Sequence, residues 1–130
     1  MILAIRTDSM EATIALLASG GTVQREETWE AGRALSRQLP PRIEKLLDDC
    51  GVTYADVAGV VVYQGPGSFT SLRIGITVAN TIAHEQHIPI VGATGDDWIQ
   101  AGLSQLKDAQ PGTILTPVYG GEANISKPKK

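Results

Sequence analysis

A single cysteine, Cys50, stands in this chain of 130 residues, so an intrachain disulfide is impossible and nothing points to an oxidising compartment. No histidine or acidic residue falls at a metal-ligand spacing from it, and near the end of an expected helix it reads as a half-buried structural thiol. Aromatic residues make up only 5% of the chain, and Trp29 and Trp98 are too isolated to form a base-stacking platform. Positive charge is equally sparse. A formal net charge of −3 and a pI near 5.3 exclude nucleic-acid binding by charge alone, because phosphate contacts need a basic face. The one cationic cluster, Lys127, Lys129 and Lys130, reads as a solvated tail. No apolar run approaches the roughly 18 residues of a membrane span. The N-terminus also lacks the basic and long apolar regions of a secretion signal. The chain is therefore expected to be cytoplasmic.

What remains is an ordinary globular composition, 42% hydrophobic and 19% charged, of a length that builds one core. Ile2–Ile5, Thr13–Leu17 and Thr22–Thr28 read as strands, with Ser19-Gly20-Gly21 supplying a two-residue Gly-Gly hairpin turn between the second and third. The polar alternation of Thr22-Val23-Gln24-Arg25-Glu26 places the third at a wet edge. A helix over Ala31–Cys50 follows, its apolar stripe formed by Leu35, Leu39, Ile43, Leu46, Leu47 and Cys50. Pro40 and Pro41 interrupt it and predict a bend or break, and Gly51 is placed to cap it. Then come a strand at Val57–Tyr63, a helix from about Phe69 to Gln86, a strand at Ile88–Gly92, and a third helix opened by Asp96 or Asp97 and closing near Leu106. Three meandering strands followed by alternating helices and strands are the pattern of an α/β, ribonuclease H-like fold with a mixed five-stranded sheet. We place that domain over residues 1–107. Residues 108–130 are expected to add a short strand at Thr113–Tyr119 and a basic tail, with no second domain.

The loop Gly65-Pro66-Gly67-Ser68-Phe69-Thr70-Ser71-Leu72-Arg73-Ile74-Gly75 joins the fourth strand to the second helix. A glycine-rich turn there presents backbone N–H groups at a helix start, where the macrodipole favours an anion. The same turn also serves as a plain strand-to-helix corner. Catalysis on this fold needs converging carboxylates on a metal, yet the first strand ends Ile5-Arg6-Thr7-Asp8-Ser9, with Arg6 where an acid would help. Asp8 is equally suited to a turn. Ser68 and Thr70 read as N-capping hydroxyls, since no triad signature gives a serine a base. His84 and His87 lie three apart near a helix end without a third ligand. No metal and no cofactor are expected.

At about 100° per residue, Leu72, Ile74, Gly75, Ile76, Val78, Ala79, Ile82 and Ala83 span an arc of roughly 200° on the second helix. Ser71, Gly75, Ala79 and Ala83 recur every four residues within it. One face of a sheet needs less than this arc, so the excess is assigned either to the first helix or to a partner. The residues expected at a partner interface are Leu35, Leu39, Ile43 and Leu46 of the first helix, with Leu72, Gly75, Ile76, Ala79 and Ala83 of the second.

The run Gly65–Gly75 closely resembles the G-P-G-S-F-T-G-[LV]-R-I-G signature of the TsaB (YeaZ) family. Ile2-Leu3-Ala4-Ile5 before a threonine, Leu39-Pro40 within the first helix and Ile88-Pro89-Ile90-Val91-Gly92 after the second agree with it. The resemblance covers about Met1–Leu103, and Pro117-Val118-Tyr119 looks like the family's C-terminus. It implies a single ribonuclease H-like half of the actin-like ATPase fold. It also implies a non-catalytic role in forming threonylcarbamoyladenosine beside the tRNA anticodon. By the same resemblance the partners would be a TsaD-like catalytic paralogue and a TsaE-like ATPase, with the first two helices meeting TsaD or a second copy. The signature loop carried over is Gly65, Pro66, Gly67, Ser68, Phe69, Thr70 and Arg73. Arg6 departs from the family's aspartate, Ser71 from its glycine and Gly120-Gly121 from its Leu-Arg, and the family's second half has no counterpart, as in an internally deleted member. The alternatives are a residual nucleotide- or metal-dependent hydrolase using the loop and Asp8, or a self-associating domain with no part in tRNA modification.

Overall fold

The computed structural model describes residues 1–117. Its elements are β1 (Ile2–Arg6), β2 (Glu11–Leu17), β3 (Val23–Glu30), α1 (Leu35–Asp49), β4 (Gly59–Tyr63), α2 (Phe69–Gln86), β5 (Ile90–Ala93) and α3 (Trp98–Leu106). One sheet of order β3-β2-β1-β4-β5 carries them. β1, β2 and β3 pair antiparallel, while β1, β4 and β5 run parallel. This is the mixed five-stranded α/β sheet expected from the sequence.

Strand side chains alternate between two layers. Leu3, Ile5, Ile14, Leu16, Val60 and Val62 face α1 and α2, and form one core with their apolar stripes. Ile2, Ala4, Ala15, Leu17 and Val61 face the other way, under Trp98, Leu103 and Leu106 of α3. β1 and β4 are covered on both faces, which is why they read as unbroken apolar runs. Edge strand β3 is mostly exposed and polar.

Three local expectations change. The β2–β3 hairpin turns through Ser19, Gly20 and Gly21, closed by Ala18 N–H donating to Thr22 O at 2.8 Å, and only Gly21 has positive φ (97°). A three-residue loop of this kind matches strand twist with one left-handed residue instead of two. Helix α1 runs unbroken through Pro40 and Pro41. Each internal proline costs about 3 kcal/mol, but burying Leu39, Ile43, Leu46 and Leu47 returns about 1.5–3 kcal/mol per side chain. The carbonyls the prolines leave unpaired belong to Ser36 and Arg37, both exposed to water. The C-terminal strand is absent over residues 113–117, and the remainder of the expected strand lies outside the described residues. Side-chain amides hold that segment instead. Asn80 Nδ2 donates to Leu115 O and Leu115 N–H donates to Asn80 Oδ1, both at 3.0 Å, while Gln64 Nε2 donates to Thr116 O at 2.8 Å.

Helix α1 ends as expected at Gly51: Gly51 N–H donates to Asp48 O and Val52 N–H to Leu47 O, each 3.0 Å. It is tied to β3 through Trp29, whose Nε1–H donates to Gln38 Oε1 at 3.0 Å while Arg42 stacks 4.4 Å from the ring centroid. The Lys45 ammonium, hydrogen-bonded to Asp49 Oδ2 at 2.8 Å, holds that carboxyl below its ordinary range, and Arg25 acts in the same direction.

Helix α2 ends with the same hydrogen-bond pattern but on a histidine. His87 is left-handed (φ 56°), with His87 N–H donating to His84 O and Ile88 N–H to Ala83 O. A non-glycine residue there carries a Cβ penalty, and His87 is exposed. His87→Gly is therefore expected to stabilise the domain by about 0.5–1 kcal/mol in urea unfolding. A loss of stability would show that the imidazole makes a contact worth more than the backbone strain.

Candidate functional site

The signature loop is clamped to the end of β1. Ser68 N–H donates to Asp8 O at 2.8 Å, and Tyr63 Oη donates to Pro66 O at 3.3 Å. A Cβ on Gly67 would stand 2.7 Å from Asp8 O, so only glycine lets the two backbones come this close. One turn into α2, buried Thr7 donates its hydroxyl to Ser71 O at 2.8 Å. A Cβ on Gly75 would collide with Thr7 Oγ1 and lie 3.0 Å from its Cγ2. Ser68 occupies the N-cap position without a side-chain cap bond, which corrects the N-capping expectation; its Oγ instead accepts from Ser71 Oγ at 3.2 Å.

At the loop itself, the Ser68 N–H already serves Asp8 O. The Asp8 carboxylate takes both the Nε and Nη2 donors of Arg6, at 2.8 and 3.0 Å, and the guanidinium lies 3.9 Å from the Tyr63 ring centroid. That hydrogen-bonded pairing raises the Arg6 pKa further, against a smaller effect of burial. A polar hollow of about 330 Å³ lies here, lined by Arg6, Asp8, Ser9, Glu11, Thr13 and Glu26 among others. Arg6, its one cation, pairs with Asp8, and Glu11 and Glu26 leave the hollow acidic. Among the described residues no three His, Cys, Asp or Glu side chains gather to hold a metal.

The nine residues expected at a partner interface are interior. Leu35, Leu39, Ile43, Leu46, Ile76, Ala79 and Ala83 lie in the core beneath α1 and α2, Leu72 lies in the second core, and Gly75 is buried against Thr7. The wide arc of α2 has two occupants within the domain, the sheet below and α1 beside it, so Gly75, Ala79 and Ala83 of the small-residue row are buried and Ser71, at its start, is half-exposed. The surface left outside is formed by Thr70, Arg73, Ile74, Thr77, Val78 and Thr81. Ile74 and Val78, one turn apart and half-exposed, were the available sequence signal: apolar residues with Arg73 and Thr77 as neighbours.

That surface is concave. Two hollows, of about 300 and 270 Å³, lie along the seam of α1 and α2 and share Thr77 and Val78. Ser36, Thr70, Arg73 and Ile74 line the first; Pro40, Glu44, Tyr54, Thr81 and Glu85 line the second. Half-burial pushes the Tyr54 phenol above its ordinary range, and the carboxylates of Glu44 and Glu85 act in the same sense. Arg73 lies 5.5 Å from the Phe69 ring centroid, and Phe69 is 51% exposed. Apolar walls with scattered polar groups suit a protein surface.

The fold and its clamped glycine loop define a ribonuclease H-like domain of the actin-like class. The family description that fits the chain, over residues 5–125, is "TsaD: tRNA N6-adenosine threonylcarbamoyltransferase". TsaB of Bacillus subtilis, a "tRNA threonylcarbamoyladenosine biosynthesis protein", is 33% identical over 91% of this chain and 54% of its own length. A tRNA N6-adenosine threonylcarbamoyltransferase of Trichlorobacter lovleyi is 34% identical over 73% of this chain and 28% of its own. Among solved structures, YeaZ from Pseudomonas aeruginosa superposes with a TM-score of 0.67 at 29% identity, over 72% of this chain and 43% of that one. The chain belongs to the TsaB (YeaZ) family, within the broader group that the TsaD description covers. It spans about half the length of the TsaB relative and less of the others.

The clamp has a direct test. Gly75→Ala is expected to cost about 1–3 kcal/mol by overpacking against Thr7, and Thr7→Ala about 1 kcal/mol for the lost buried hydrogen bond. In the double variant the added methyl meets no hydroxyl, so chemical denaturation should give a cost well below the sum. Strict additivity would place the Gly75 constraint elsewhere.

Proposed function

We propose that this chain is a non-catalytic scaffold in threonylcarbamoyladenosine formation on tRNA, and that the α1–α2 groove is the surface by which it holds a TsaD-type catalytic paralogue. The observation that carries the reading is the pairing of a chemically quiet loop with an apolar, concave surface on the helices that loop orients. Arg6 and Asp8 neutralise one another beside the glycine turn, and among the described residues no three His, Cys, Asp or Glu side chains gather to hold a metal. Its contribution is then thermodynamic: binding more tightly to the competent conformation of the paralogue than to others, which shifts that population.

The names of the relatives, one a TsaB biosynthesis protein and others threonylcarbamoyltransferases, support the part in threonylcarbamoyladenosine formation. A TsaE-like ATPase joining the pair, and pairing of two copies through the same helices when the paralogue is absent, complete the proposal. Transfer-RNA would be held by the paralogue, since this chain's net charge of −3 favours no phosphate contact. No helix among the described residues is long and apolar enough to cross a membrane, and the cytoplasm is the compartment proposed.

Thr77 is exposed, lies between the two hollows and takes no part in the core. Thr77→Arg should leave the melting temperature unchanged and weaken binding to the organism's own TsaD, measured by titration calorimetry, by at least about tenfold, as for a central interface residue. Unchanged affinity would place the interface elsewhere, and tRNA modification at full rate in cells lacking this chain would remove the scaffold role.

A further inference from the structure

β5 is the last strand of the sheet, and no strand among the described residues pairs with its outer side. Val60 N–H donates to Pro89 O and Gln64 N–H to Ala93 O, so those carbonyls point toward β4. Alternation along the strand turns the backbone groups of Ile90 and Gly92 the other way. Gly92 O is met there by Gln105 Nε2 of α3, at 3.0 Å. An outward row of this kind is a template for another extended chain. Residues 109–117 run beside it. Ala109 packs in the core under α3 and Leu115 in the core under α1 and α2, so the chain changes layers between them. Residues 111–114 pass His84, His87 and Ile88; Leu115 then reaches Asn80, and Thr116 reaches Gln64. The segment therefore runs in the direction of β5, yet it makes no ladder with it.

Asn80 stands in for the missing ladder. Its side-chain amide accepts from Leu115 N–H and donates to Leu115 O, both at 3.0 Å, as the backbone of a neighbouring strand would. Gln64 Nε2 adds a bond to Thr116 O at 2.8 Å. The Gln64 side chain can lie across β5 because Gly92 is bare; a Cβ there would collide with its amide. We propose that the slot between α2 and the outer side of β5 is a binding site for an extended peptide segment, read through its backbone by Asn80 and Gln64, and that residues 113–117 fill it in cis. The contacts define the ligand. Its central residue must carry an N–H for Asn80 Oδ1 and an apolar side chain for the core that Leu115 packs against. Thr113, Ile114 and Thr116 are exposed, so the flanking side chains matter little. Pro117 holds Thr116 in the extended region and prepares the segment for the slot. The fit is partial: Ile114 stays 75% exposed beside a hollow of about 460 Å³ against the last turn of α2. Tethering keeps the cis segment in place by acting as a millimolar local concentration, and a second segment of the same chemistry competes with it.

The test uses the full chain in two variants. Leu115→Pro removes the N–H that Asn80 accepts and alters no strand or helix. Asn80→Ala removes the clamp and favours the helix. Circular dichroism should show both folded. In hydrogen exchange followed by NMR, the Leu115 amide should exchange at least about tenfold faster in Asn80→Ala than in the native chain. A synthetic peptide of residues 112–117 with blocked ends is then titrated into the native chain and the Leu115→Pro chain. At millimolar concentration it should shift the amide resonances of Gln64, Asn80, Ile90 and Gly92 in the Leu115→Pro chain, whose own segment is disabled. It should bind the native chain at least about tenfold more weakly, because the cis segment competes. The same peptide carrying Leu115→Pro should bind neither. An unchanged Leu115 amide in a folded Asn80→Ala chain overturns the clamp. No shifts in the Leu115→Pro chain, equal binding to both chains, or equal binding of both peptides overturns the site, whatever the fate of Asn80→Ala.

Discussion

Thr7 and Asp8, at the end of β1, meet the backbone of the glycine loop and of the first turn of α2 without an intervening side chain. The Thr7 hydroxyl donates to Ser71 O, and Asp8 O accepts from Ser68 N–H. Gly67 and Gly75 make room for both contacts. Two hydrogen bonds so close together fix the rotation of α2 about its own axis as well as its distance from the sheet. Close-packed interiors transmit such a constraint. With rotation fixed, Ile76, Ala79 and Ala83 must enter the core, and Arg73, Thr77 and Thr81 must face out.

Everything proposed for function follows from that rotation. Had α2 turned by one residue, about 100°, the row of small side chains would lie on the surface and the groove would not exist. The loop and the groove are therefore parts of one device, in which the loop holds the helix and the helix supplies the surface. Arg6 fits this account. Its guanidinium, stacked on Tyr63 and chelated by Asp8, braces the corner from outside. A carboxylate at that position would leave Asp8 facing a like charge beside the loop.

Legibility in the sequence followed the range of the interactions. The runs Ile2–Ile5 and Val57–Tyr63, the latter a strand from Gly59 on, and the helix Phe69–Gln86 were readable because period and propensity are local. The continuity of α1 through Pro40 and Pro41 was not, because the burial of Leu39, Ile43, Leu46 and Leu47 outweighs the local penalty, and propensity carries no record of tertiary burial. Nor was the purpose of Gly67 and Gly75, since their constraint comes from Thr7 and Asp8, about sixty positions away in the chain. The nine residues expected at a partner interface lie inside the domain for a related reason. An apolar arc reveals how much surface a helix covers, and here α1 covers what a partner was expected to cover. The loop's membership in a specific family signature was legible throughout, while its mechanical role was visible only once the β1 end stood against it.

The central claim, that the glycine loop orients a helix whose outer face does the binding, is tested most directly by hydrogen–deuterium exchange of this chain with and without its TsaD paralogue. The account predicts new protection over residues 70–81 and 36–44, with the amides of 65–68 and 6–9 unchanged because their contacts are already made. Protection confined to the loop and the β1 end, with α1 and α2 unaffected, would contradict it.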